Sequence, residues 1–114
     1  MPTPSTTLYP NTRRALAALG QRMKDARLRR RFSSETVSAR AGISRVTLSK
    51  IEAGEPSVTM GNYLQVLVVL GLDKDIETVA TDDEVGRRLQ DAGLPHRQRA
   101  PRTKKIPAEN QGNG

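Results

Sequence analysis

An all-α fold is what this sequence predicts: five short helices in one compact domain, with flexible N- and C-terminal arms. Three observations carry the prediction. Apolar residues recur at spacings of three and four through the middle of the chain, the pattern of one buried helical face. Aromatic residues make up only 3% of the 114 residues against 35% hydrophobic, so the core is assembled from Leu, Val, Ile, Ala and Met, which suits a helical bundle better than a β-sandwich. Hydroxyl or acidic residues precede the apolar runs and glycines follow them, as helix starts and stops require.

Residues 1–11 hold three prolines and several hydroxyls and predict a disordered arm, because such a segment buries too little surface to offset chain ordering. Residues 12–81 are the predicted domain. Its first helix is capped by Asn11 or Thr12 and places Leu16, Leu19, Met23 and Ala26 on one face, with Arg22, Lys24 and Arg29 elsewhere. Ser33 caps a second helix, Glu35 suits the positive end of its dipole, Val37 and Ala41 form its buried stripe, and Gly42 stops it. Ile43 occupies the turn. Ser44 caps a third helix, Leu48 and Ile51 face inward, and Gly54 offers a left-handed C-cap. Glu55, Pro56 and Ser57 break the pattern, after which Met60, Tyr63, Leu64, Leu67 and Leu70 define a fourth helix that ends at Gly71. Residues 66–70 also read as a buried strand, but no second strand exists to pair with it. Asp73 caps a fifth helix containing Ile76, Val79 and Ala80. Residues 82–114 form a basic, largely flexible tail with a short helix over 83–92, capped by Asp82 or Asp83.

Nineteen Lys and Arg against 12 Asp and Glu give a formal charge of +7, which attracts polyanions, nucleic acid or an anionic membrane surface. With no cysteine, disulfides, thiolate nucleophiles and Cys-ligated zinc are excluded, and a reducing compartment fits. No apolar run has the length of a signal peptide or a membrane span, so the expected location is cytoplasmic and no membrane partner is expected. The one histidine, His96, lies in a basic segment without a carboxylate pair, nucleophile elbow or phosphate loop around it. It reads as a surface residue, and no enzyme activity, catalytic residue, metal or cofactor is expected. RNA is disfavoured because no aromatic stacking platform accompanies the basic residues.

Function concentrates in 33–54, SSETVSARAGISRVTLSKIEAG, where a short helix, a glycine turn and a second short helix with basic and hydroxyl residues on its outer face follow one another. Such a helix-turn-helix can lay its second helix in the DNA major groove while the first braces the backbone. These residues resemble the Xre family of lambda-repressor-like, Cro-type regulators over roughly residues 19–80. The resemblance rests on Arg27 late in helix 1, Val37 and Ala41 in helix 2, Gly42 in the turn, Ser44 and Arg45 opening helix 3, and Ile51, Glu52, Ala53 and Gly54 closing it.

What the resemblance implies is a bacterial transcriptional regulator, nucleoid-associated when bound to double-stranded operator DNA. It implies an ion pair between Arg27 and Glu52; two solvated charges are the plain alternative. It puts Arg45, Val46 and Lys50 at base edges, with Thr47 and Ser49 within reach of bases or phosphates: arginine and lysine can donate to guanine, and valine can pack on a thymine methyl. Ser34, Ser44 and Arg40 fall to phosphate, although Ser34 and Ser44 also serve as simple caps. Many relatives have an acid where Thr36 stands and a glutamine where Ser34 stands, a departure that weakens the capping box and shortens one phosphate contact. The basic run Arg27, Arg29, Arg30 and Arg31 reads as the solvated end of helix 1 or as a source of phosphate contacts.

A homodimer is expected because one short recognition helix reads few base pairs. Tyr63, Val66, Val69, Leu72 and Ile76 on helices 4 and 5 offer its interface or, alternatively, an internal core. Residues 83–102 resemble the C-terminal part of HipB-like antitoxins, which implies autorepression of a toxin-antitoxin operon and a HipA-like kinase toxin as partner. The other readings are a stand-alone repressor and a basic tail that adds non-specific DNA attraction.

Overall fold

A computed structural model describes residues 7–93. Their secondary structure is helical, with no strand among the described residues: α1 (Pro10–Arg29), α2 (Ser34–Ala41), α3 (Arg45–Glu52), α4 (Met60–Leu70), α5 (Asp73–Glu77) and α6 (Glu84–Asp91). The all-α prediction holds: α1 to α5 are the five helices of the predicted domain, and α6 is the short helix expected over 83–92. The chain divides after Val79 into two compact units, α1 to α5 in the first and α6 in the second. His96 and the basic residues 97–105 lie outside the described residues.

Helix α1 starts earlier than the sequence reading placed it. Tyr9, not Asn11 or Thr12, is the N-cap, and Pro10 is the first helical residue, where its fixed φ suits helix entry and its missing N–H removes one orphan donor. Asn11 works inside the first turn, its Oδ1 accepting from Arg14 Nη2. At the other end the Phe32 N–H donates to Arg27 O at 3.1 Å and the Arg31 N–H to Leu28 O at 2.9 Å. This closure needs a left-handed residue at Arg31, φ 56°, where glycine is the usual occupant.

Helices α2 and α3 begin in the same way. Ser33 Oγ accepts from the Thr36 N–H at 3.0 Å and donates to Thr36 Oγ1 at 2.9 Å; Ser44 Oγ does both with Thr47, each at 3.0 Å. Threonine thus answers the capping hydroxyl in both helices. Gly42, φ 73°, turns the chain between them.

Met23 and Ala26 from α1, Val37 and Ala41 from α2, Leu48 and Ile51 from α3, and Tyr63, Val66, Leu67 and Leu70 from α4 form one core. Of the interface candidates, Tyr63 and Val66 are buried within the single chain, as the alternative of an internal core has it. Val69, Leu72 and Ile76 are half-buried against the core. The Tyr63 hydroxyl donates to Glu55 O at 2.8 Å, tying the loop before α4 to the core. Burial, and then the charge of Glu55, raise the Tyr63 pKa above its usual value.

Helix α5 is shorter than expected. Its N-cap is Leu72, so Asp73 is the first helical residue instead of the cap, and Asp73 and Asp75 face the positive end of its dipole. Val79 and Ala80 lie beyond its end, Val79 exposed and Ala80 in a left-handed conformation with φ 65°.

Candidate nucleic-acid interface

The inner side of α3 is fixed at three levels. Leu48 and Ile51 are fully buried, each contributing about 2 kcal/mol through burial alone. At the end of the helix the backbones of α1 and α3 approach closely: a Cβ on Gly20 would lie 2.5 Å from Ile51 O, and one on Gly54 would lie 2.6 Å from Ala17 Cα. Gly54 also has φ 75°, so glycine is required there twice over, for conformation and for space.

The third level is Arg27. Its Nε donates to Glu52 Oε2 at 2.7 Å and its Nη2 to Glu52 Oε1 at 3.1 Å, with both side chains close to nine-tenths covered. Its Nη1 donates to Phe32 O at 3.0 Å. One guanidinium therefore joins α1, the end of α3 and the turn into α2. The bond to Glu52 raises the Arg27 pKa, desolvation lowers it, and the charge of Glu52 raises it further. The planar fork, not a point charge, makes this three-way tie possible.

The outer side is different in kind. With about 3.6 residues per turn, Val46 falls opposite Leu48 and Ile51, with Ser49 and Lys50 flanking it. Val46 is 65% exposed, and Arg45, Ser49 and Lys50 are exposed. The side chains of Arg45 and Lys50 make no hydrogen bond or ion pair with any described residue. Thr47 is half-buried at the other edge, its hydroxyl engaged by Ser44.

Arg45, Val46 and Ser49 line a groove of 590 Å³ together with Ser34, Lys24 and the Arg27–Glu52 pair. The groove does not gather Lys50, Thr47, Ser44 or Arg40. Lys50 lies on the outer face toward the C-terminal end of α3, Ser44 is its cap, and Arg40 sits over the Phe32 ring with its guanidinium carbon 5.4 Å from the centroid. Arg30, in the basic run at the end of α1, donates to Ala26 O at 2.9 Å.

A family comparison decides what this two-helix arrangement is, because the helix-turn-helix domain matches residues 18–79, more than half of the chain. The chain belongs to the helix-turn-helix domain family. The family is one of DNA-binding regulators, and the matched span takes in the capped α2–α3 pair and the helices that hold it. Comparison with curated proteins gave no match. Among the described residues no helix is long and apolar enough to cross a membrane.

Two features of this helix-turn-helix domain escaped the sequence reading. Gly20 carried a signal: a glycine inside a helix weakens it by about 1 kcal/mol and needs a reason, and Gly20 lies seven residues, or two turns, before Arg27 on the same face. Lys24 lies on that face too but was assigned only a direction away from the core.

Proposed function

We propose that this chain is a sequence-specific transcriptional regulator that binds duplex operator DNA as a homodimer. Arg45, Val46 and Lys50 read base edges, Ser49 and Thr47 lie beside them, and Ser34, Ser44 and Arg40 serve the phosphodiester side. The observation that supports this reading is the contrast across α3: an inner side held by Leu48, Ile51, Gly54 and Glu52, and an outer side whose cations have no protein partner among the described residues. A helix about 10–12 Å across fits a major groove about 12 Å wide, and a preformed cationic face avoids the ordering cost that a loose one would carry. The role is binding rather than catalysis.

One eight-residue helix spans few base pairs, so discrimination requires a second half-site and a second copy. Val69, Leu72 and Ile76, with exposed Val68 beside them, supply the dimer surface. A second reading, an autorepressor that also holds a HipA-like kinase toxin, is favoured by α6: Val85 and Leu89, one turn apart, are exposed at 59% and 50%.

The test is to select duplexes from a random library with the purified chain and compare the best of them with unselected DNA. Arg45→Ala should reduce the preference by about tenfold or more, the loss of one bidentate base contact, while salt-sensitive binding to unselected DNA persists. Equal loss on both would reduce the protein to a binder of charge alone. Recovery of a kinase-like partner by the Arg45→Ala chain would favour the antitoxin reading over the stand-alone one.

A further inference from the structure

Resting on the reading of α3 as the DNA-binding helix, we infer that Lys24, on α1 and outside the helix-turn-helix, forms a phosphodiester site with the groove between α1 and α3. Five observations meet at this residue. Lys24 lines the groove that Arg45, Val46, Ser49 and Ser34 also line, so its ammonium shares a concavity with the exposed face of α3. It is exposed, and its ammonium makes no hydrogen bond or ion pair with a described residue.

Helix geometry explains its direction. Gly20 and Arg27 mark the side of α1 that packs on α3, and Lys24 stands about 40° from Gly20 and about 60° from Arg27 around the helix axis. It therefore flanks the packing line on the open side. The neighbouring acid, Asp25, accepts from Gln21 at 3.0 Å and lines a different groove, with Arg22, Arg29 and Asp75.

The groove has one carboxylate among its lining side chains, that of Glu52, and both of its oxygens are taken by Arg27. What the concavity presents is thus the uncompensated charge of Lys24 and Arg45. A hydrated ammonium on a flexible stem suits a phosphate oxygen, whereas the planar guanidinium of Arg45 suits a base edge. Lys24 accordingly holds the backbone of the half-site that α3 reads and carries no sequence information.

The experiment is a salt titration of the full chain and its Lys24→Ala, Lys24→Arg and Arg45→Ala variants, by fluorescence anisotropy, on the selected duplex and on an unselected duplex of equal length. Loss of one phosphate contact should flatten the slope of log affinity against log salt by about 0.9 on both duplexes. Between 50 and 200 mM salt the Lys24→Ala chain should therefore lose about 3.5-fold less affinity than the wild type. The ratio of selected to unselected binding should stay as in the wild type, and Lys24→Arg should retain the full slope. An unchanged slope in a Lys24→Ala chain with wild-type melting would overturn the inference. If Arg45→Ala leaves the ratio unchanged, or no duplex is enriched, the sequence-reading role of α3 falls, while the slope on unselected DNA still decides for or against Lys24.

Discussion

Helices α3 and α6 are each eight residues long, and each begins with a side-chain cap. Ser44 Oγ accepts from the Thr47 N–H and Asp83 Oδ1 from the Gly86 N–H, both at 3.0 Å. There the likeness ends. Leu48 and Ile51 of α3 are wholly buried, and its last turn is pressed against the α1 backbone. No residue of α6 is buried. Helix α6 draws its local support from two pairs more than half exposed, Arg87 with Asp82 at 2.8 Å and Arg88 with Glu84 at 3.1 Å. Such pairs contribute a few tenths of a kcal/mol each. Capping and charge pairing start a helix, but a segment this short is held in place only by tertiary packing. A helix that must present three or four side chains in register needs the packing; one that meets a partner can leave its apolar residues uncovered until the partner arrives.

The strongest way to break this contrast is to remove the close approach that fixes α3. Gly54→Ala adds a left-handed alanine and a methyl group aimed at Ala17 Cα, and should destabilise the first unit by on the order of 4 kcal/mol in urea unfolding. A loss below about 1 kcal/mol would mean that the α1 and α3 backbones separate easily and that the inner face does not fix the outer one.

Next in size is the Arg27 tie. Arg27→Ala leaves the Glu52 carboxylate covered and unpaired, which should remove about 3 kcal/mol. Arg27→Met combined with Glu52→Leu should recover part of that loss, since no uncompensated charge remains. Stability alone does not exhaust the role of the pair, because Arg27 also holds Phe32 O. The double variant should therefore bind selected DNA more weakly than its stability implies, by anisotropy on the same duplex. Wild-type binding by that variant would show that apolar packing positions α3 without the ion pair.

How much of this was legible beforehand follows the range of the interactions. Serine and glycine act within four residues of their own position, and Ser33, Gly42, Ser44 and Gly71 stand at the helix boundaries the sequence assigned to them. The late placement of the start of α1 came from reading the polar composition of residues 1–11 as a whole, when Pro10 by itself marks a first helical turn. Helix α5 was drawn too long because apolar spacing continues through Val79 while no glycine marks the stop. Tyr63 and Val66 left two readings open for another reason: periodicity shows which side chains share a face, not whether that face meets its own chain or a second copy. Gly20 and Lys24 belong to the same class, since their importance lies in α3, a distant stretch of the sequence, and only packing brings it to them.

The smallest expected effect sharpens the other side of the comparison. Val85→Ser with Leu89→Ser replaces two side chains that are at least half exposed, at 59% and 50%, neither of them a member of the core. The unfolding midpoint of the first unit should stay within about 0.5 kcal/mol of wild type, the range of ordinary surface changes. Preference for selected over unselected DNA should also be unchanged, because none of the residues that form or fix the α3 face is altered. If the first unit instead loses more than about 1 kcal/mol, α6 is part of the scaffold and its exposed valine and leucine have an intramolecular use. If stability and DNA preference both hold while binding to a co-purifying kinase is lost, the same two residues become the contact through which a second protein is held, and the division of labour between α3 and α6 is one of partner as well as packing.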